Sequence, residues 1–111
     1  MPAESLLSVV VQTFDALADP TRARIAFALS AGELCVRDLA LAVGVSESAV
    51  SHQMRLLRDR HLVRSRRDGT TIYYTMDGHH LSVLLREADY HADHVHQDLP
   101  DHSYPRADPG A

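Results

Sequence analysis

With 111 residues, 45% of them hydrophobic, the chain is long enough for one compact domain and too short for two. Lysine and arginine together number 11 against 15 acids, and no apolar run approaches the roughly 18 residues that a membrane span requires. The lone cysteine, Cys35, excludes an intramolecular disulfide framework and fits a reducing compartment. The stretch MPAESLLSVVVQTFDALA lacks a basic leader and reads as a helix, not a signal peptide, so a cytoplasmic protein is expected.

In chain order, Leu6, Leu7, Val9, Val10, Phe14 and Leu17 recur at helical spacing and predict a first helix from about Ser5 to Ala18. Asp19-Pro20 is a start signal, an acidic N-cap followed by proline at the first helical position. The second helix then carries Ile25, Phe27, Ala28 and Leu29 until Ala31-Gly32 stops it. After Glu33-Leu34-Cys35, a short third helix holds Val36, Leu39, Ala40 and Val43 and ends at Gly44. Ser46 caps a fourth, from Glu47 to about Arg60. Val50, Met54 and Leu57 line one face of it, and Ser48, Ser51, His52 and Arg55 the other. Two β-prone runs, Leu62 to Arg67 and Thr70 to Thr75, flank Asp68-Gly69 and predict a hairpin. A last helix is expected from about Gly78 to Gln97, its apolar side made of Leu81, Leu84, Leu85, Ala88, Ala92 and Val95. Residues 1–99 form the expected domain, and 100–111, rich in proline, glycine and charge, a disordered tail.

The net charge of −4 argues against a nucleic-acid partner only until its distribution is considered. Arg37, Arg55, Arg58, Arg60, Arg64, Arg66 and Arg67 crowd a central stretch that holds Asp38, Glu47 and Asp59 alone as acids. From Asp77 onward the balance is acidic. Such asymmetry marks one face for phosphate. Two short helices joined by Gly44-Val45-Ser46 have the form of a helix-turn-helix, with the fourth helix as reader. The small hydroxyls Ser46, Ser48 and Ser51 let backbone N–H groups approach phosphate. His52, Gln53 and Arg55 suit base edges in the major groove. Arg66 and Arg67 place two cations in the hairpin, or wing. The expected architecture is mainly α with a small β-hairpin, a winged helix-turn-helix of order ααααββα.

The run ELCVRDLALAVGVSESAVSHQMRLLRDRHLVRSRRDGTTIYY resembles the ArsR/SmtB regulators, and the similarity extends from about Phe14 to His96. The resemblance implies a homodimer whose first and last helices form the interface. It also implies binding to an imperfect palindrome in double-stranded DNA and a response to an inducer. By the same resemblance Ser48, Ser51, His52, Gln53 and Arg55 are groove contacts, with Arg66 and Arg67 in the wing.

Many family members bind soft metals through a Cys-x-Cys pair on the third helix, but here Arg37 takes the second position, and Cys35 reads as a buried structural residue. The last helix offers another chemistry. Asp77, His80, His91 and His94 share one stripe, while His79 and His96 lie off it. His80 and His91 are about 16 Å apart along a helix, too far for one metal to bridge. If two such helices pack antiparallel about a two-fold axis, Asp77 and His80 of one meet His91 and His94 of the other. The metal-sensing subgroup has this arrangement in a D-x-H…H-x-x-(H/E) pattern, although its aspartate position is Gly78 here and Asp77 stands one residue early. The ending YHADHVH resembles nickel- and cobalt-sensing members, with Asp93, His96 and His102 as additional candidate ligands. Nitrogen and oxygen donors without thiolate suit Ni(II), Co(II) or Zn(II), and the resemblance puts Ni(II) first. The competing expectation is a DNA-binding subunit signalled by a partner protein docking on the acidic tail near Tyr104. An enzyme is disfavoured because no general base, oxyanion donor or substrate cleft is indicated.

Overall fold

The computed structural model describes residues 1–97. The elements run α1 (Glu4–Leu17), α2 (Pro20–Ser30), β1 (Leu34–Cys35), α3 (Val36–Val43), α4 (Glu47–Asp59), β2 (Val63–Asp68), β3 (Thr71–Met76) and α5 (His79–His96). Each predicted helix is present, with ends within one residue of expectation. The expected tail, His102 and Tyr104 among it, lies outside the described residues.

Local chemistry sets most of the boundaries. Asp19 Oδ2 accepts from the Arg22 N–H at 3.0 Å, capping α2 behind Pro20. Ser46 Oγ does the same for α4, accepting from the Ala49 N–H at 3.0 Å. Between α3 and α4 the turn passes through Gly44 at φ 80°, a left-handed conformation that suits glycine. The end of α4 uses the same trick without glycine. The His61 N–H donates to the Arg58 carbonyl and the Leu62 N–H to the Leu57 carbonyl, both at 3.0 Å, with His61 at φ 61°. That pairing is a Schellman motif whose left-handed residue is a histidine.

The sheet has one strand more than predicted. β1 pairs antiparallel with β3 through Leu34↔Tyr74 and Cys35↔Tyr73, giving the order β1-β3-β2. Two residues carry no alternation, so periodicity alone does not reveal such a strand. The hairpin turn also shifts by one. Asp68 pairs with Thr71 as the last rung, leaving Gly69-Thr70 as the loop with Gly69 at φ 64°.

The core lies where the helices meet the inner face of the sheet. Ile25 and Leu29 of α2, Leu39 of α3, Val50, Met54 and Leu57 of α4, and Leu81 and Leu85 of α5 converge with Val63, Tyr74 and Met76. At roughly 1.5–3 kcal/mol for each large apolar side chain removed from water, this cluster dominates the folding energy. Helix α1 adds the fully buried Ala16 to this core and leaves most of its length outside. Leu6 is 60% exposed, Val9 59% and Phe14 56%, so this helix keeps an apolar face that its own chain leaves bare.

Candidate nucleic-acid interface and the histidine stripe

Helix α4 turns Val50, Met54 and Leu57 into the core and so presents Ser48, His52 and Arg55, all exposed, on the opposite face. Ser51 is half-buried and lines a groove of about 300 Å³ with Cys35, Arg37, Glu47, Thr70 and Thr71, between the reader helix and the wing. Arg55 and Arg67 are exposed, and neither forms an ion pair among the described residues. Both guanidiniums are available to an anionic partner. Cys35 is a free, half-buried thiol at the N-cap of α3, not the fully buried residue expected.

Two of the anticipated contact residues are engaged within the chain. Gln53 sits at the border of the core face, half-buried, and its Oε1 accepts from Arg22 Nη1 at 3.1 Å. Arg66 pairs across the sheet with Tyr73 and lies over its ring, 4.4 Å from the centroid. Its Nε and Nη2 each donate to a Glu33 carboxylate oxygen at 2.7 Å, a forked pair that ties the wing to the turn before β1. The Arg66 hydrogen bonds hold the Glu33 carboxyl below the usual glutamate range. Strand alternation puts Arg67 on the other side of β2 from Arg66, and Arg67 is the wing cation left unpaired in the described residues.

The candidate metal ligands fall into two sets. His80 and His91 are exposed on one side of α5. His94 is 6% exposed and already engaged within the chain. Asp93 and His96 are exposed near the helix end. Asp77 precedes α5, which starts at His79, and its Oδ1 meets Arg64 Nε at 3.2 Å. That oxygen is tied to the wing base. Gly78 takes the aspartate position of the family pattern. It sits at φ 115°, and a Cβ on it would lie 2.6 Å from the His80 ring. No side chain fits at 78 while His80 folds back over it.

Sequence reasoning missed Arg22, Glu33 and Arg60. Arg22 and Arg60 bind carbonyls of α1, and Glu33 holds Arg66 across 33 residues. Only Arg22 left a trace in the sequence. Pro20 stands four residues after Ala16 and has no N–H to close that helix's bond, so the Ala16 carbonyl must find another donor.

A tri-helical core, a helix-turn-helix and a paired hairpin beside the reader helix define a winged helix-turn-helix DNA-binding domain. The family model described as bacterial regulatory protein, arsR family, matches residues 19–65. The chain is 50% identical over 88 residues to the transcriptional repressor SmtB homolog of Synechocystis sp., covering 79% of this chain and 64% of that protein. It is 47% identical over 92 residues to the HTH-type transcriptional regulator NmtR of Mycobacterium tuberculosis, covering 83% and 77%. Among solved structures, the homodimeric winged helix-turn-helix DNA-binding domain of a Mycobacterium bovis ArsR-family protein superposes with TM-score 0.79 at 29% identity, covering 87% of this chain and 93% of that one. The AntR antimony-specific transcriptional repressor superposes with TM-score 0.78 at 35% identity, covering 86% of each. The chain belongs to the ArsR family of DNA-binding transcriptional regulators, which are not enzymes.

Proposed function

We propose that this ArsR-family chain is a homodimeric repressor that binds a palindromic operator and is controlled by a transition-metal ion, Ni(II) first among candidates and Co(II) or Zn(II) next. The observation that carries the metal reading is the α5 stripe, where His80 and His91 lie exposed on one side of the helix, eleven residues apart. Among the described residues no three histidine, cysteine or acidic side chains of one chain come together to hold a metal. Eleven residues put His80 and His91 roughly 16 Å apart along the helix, so a site that uses both draws on two chains. The bare apolar face of α1 supports the pairing, because Leu6, Val10 and Phe14 stand exposed among the described residues and gain burial against a second copy.

The donors fit such an ion. Imidazole nitrogens without thiolate suit Ni, Co and Zn. His80 from one subunit and His91 with His94 from the other supply three of them, and His94 must first turn out of its buried position. Asp77 shares its Oδ1 with Arg64 and brings Oδ2 to the set. Asp93, whose Oδ1 accepts from Gln97 Nε2 at 2.8 Å, and His96 lie off the stripe as additional candidates, and His102 lies outside the described residues. When bound, the metal supplies a bond between subunits. The chain's own residues do the rest: α5 presents the imidazoles, and α4 with the wing presents Ser46, Ser48, Ser51, His52, Arg55 and Arg67 toward duplex DNA. The expected signalling partner on the acidic tail concerns residues outside those described.

Mixed dimers test the site. One chain carries His80→Ala, the other His91→Ala with His94→Ala, and nickel, cobalt and zinc are titrated calorimetrically. The heterodimer keeps one intact site, because one pairing loses every imidazole while the other loses none. Each mutant homodimer loses both. A His80→Ala homodimer that binds metal as tightly as wild type refutes the cross-subunit site.

A further inference from the structure

We propose that Arg22 is a positioning residue for DNA recognition, coupling α1 to the reader helix α4 through one guanidinium shared between the Ala16 carbonyl and the Gln53 amide. The inference rests on the dimeric DNA-binding reading above. Arg22 Nε donates to the Ala16 carbonyl at 2.6 Å, and Arg22 Nη1 donates to Gln53 Oε1 at 3.1 Å. Its own backbone N–H is held by the Asp19 cap, so the side chain starts from a fixed point.

Each acceptor has a reason to need it. Ala16 is fully buried, and its carbonyl lies in the last turn of α1, where the helix partner four residues on is Pro20. A buried carbonyl without a donor costs on the order of 1–3 kcal/mol. The last turn of α1 also contains no basic residue, so the guanidinium supplies the cation that this helix end favours. On the other side, a guanidinium only donates, so chemistry alone dictates that the Gln53 amide turns its oxygen toward Arg22. That hydrogen bond sets the orientation of the Gln53 amide from within the chain. Gln53 thus serves as an anchor point of α4.

A second arginine grips the same side of α1. Arg60, at the C-cap of α4, donates from Nη1 to the Gln12 carbonyl at 3.2 Å and lies 3.7 Å from Asp15 Oδ2. Gln12 and Ala16 are one turn apart on α1, while Gln53 and Arg60 are two turns apart on α4. Two links at different heights resist rotation of one helix against the other. Leu6, Val10 and Phe14, exposed among the described residues, lie roughly 80° to 160° around α1 from Ala16, on the side left to a second copy. Whatever orients α1 in the dimer therefore orients the reader helix, and the two reader helices are held in register across the palindrome.

The test uses the full chain and a palindromic duplex enriched by the wild-type protein from a random pool. Affinity is measured for that palindrome, for a single half-site, and for palindromes whose half-site spacing is changed by one base pair. Arg22→Gln should weaken palindrome binding by about tenfold, the scale of one lost charge-assisted hydrogen bond. It should leave half-site affinity unchanged and blunt the preference for the native spacing. Gln53→Met, which keeps the volume and removes the acceptor, should reproduce this, and combining the two should add nothing further. Arg22→Lys reaches one acceptor but not both and should fall between. Equal losses on palindrome and half-site, as general unfolding gives, overturn the proposal. So does Gln53→Met that flattens base preference on the half-site, since Gln53 would then be reading bases. A wild-type chain that enriches no duplex removes the DNA-binding premise itself, an outcome distinct from any of these.

Discussion

Helices α4 and α5 both display histidines on an open side, yet they make opposite demands on their surroundings. On α4, His52 stands exposed beside Ser48 and Arg55, and Arg67 lies across in the wing. Everything that surface needs is present in one chain, because its partner is a polyanion that brings its own geometry. On α5, His80 and His91 are equally exposed, but about 16 Å separates them along the helix and Val95 beside them is 60% exposed. That side is half of something. A reading surface completes itself on its ligand, whereas the metal site proposed on α5 needs a second copy, so one folded chain shows the first whole and the second in pieces.

The largest expected effect separates the two directly. Replacing Val10 and Phe14 of α1 by Asp puts charge on the bare face without touching the core, since both are exposed in the single chain. Two carboxylates in that interface should cost several kcal/mol and shift the protein to a monomer at micromolar concentration by sedimentation. Far-UV circular dichroism should stay unchanged. The monomer should lose metal binding yet still bind a single DNA half-site weakly. A monomer that holds nickel as tightly as wild type would show that the α5 site is complete in one chain and would erase the contrast.

Within the reading half, the two wing arginines should differ as well. Arg67→Ala should weaken binding to all duplexes alike, by roughly tenfold at moderate salt, and lower the salt slope by about one. Arg66→Ala removes no free cation. It releases Glu33 and the cover over Tyr73, so its smaller effect should come through wing placement and should be matched by Glu33→Gln. The Glu33 pair should also fade in acid. A carboxyl held below its usual range stabilises the fold above the ordinary glutamate value of about 4.3 and loses that contribution as pH falls through the lowered folded value. Equal salt-slope losses from both alanine variants would place Arg66 on the phosphate after all.

The elements were legible because their signals are local. Asp19-Pro20, Ser46 and Gly44 mark helix ends by capping chemistry, and Val50, Met54 and Leu57 mark a buried face by spacing. β1 was not, because two residues paired to a distant strand leave no period to read. The candidate contacts divided in the same way. Ser48, His52 and Arg55 follow from helix phase alone and lie exposed as expected. Gln53 and Arg66 have the right chemistry for DNA, but partners 31 and 33 residues away in sequence claim them, and no local pattern announces such a pairing. Asp77 shows the same limit. Its carboxylate looks available one residue from the family's ligand position, yet Arg64 on the neighbouring strand already holds it.

The smallest expected effect sharpens the comparison from the junction of α4 and the wing. His61 occupies the left-handed position of the Schellman turn at φ 61°, is exposed, and has its N–H bonded to Arg58. A Cβ in that conformation costs about 1 kcal/mol, which glycine avoids, although glycine also gives back part of the gain through a more flexible unfolded chain. The turn's hydrogen bonds are made by the backbone and survive the change. His61→Gly should therefore raise the unfolding free energy by somewhat less than about 1 kcal/mol in urea titration, with the slope unchanged. The Leu62 carbonyl of this turn accepts from the Asp77 N–H at 2.9 Å, a backbone bond that the change leaves in place, so metal stoichiometry and affinity should not move. A destabilised His61→Gly chain would mean that the imidazole itself contributes to the turn, and a changed metal affinity would mean that the reading half and the seam are coupled through this corner as well as through α1.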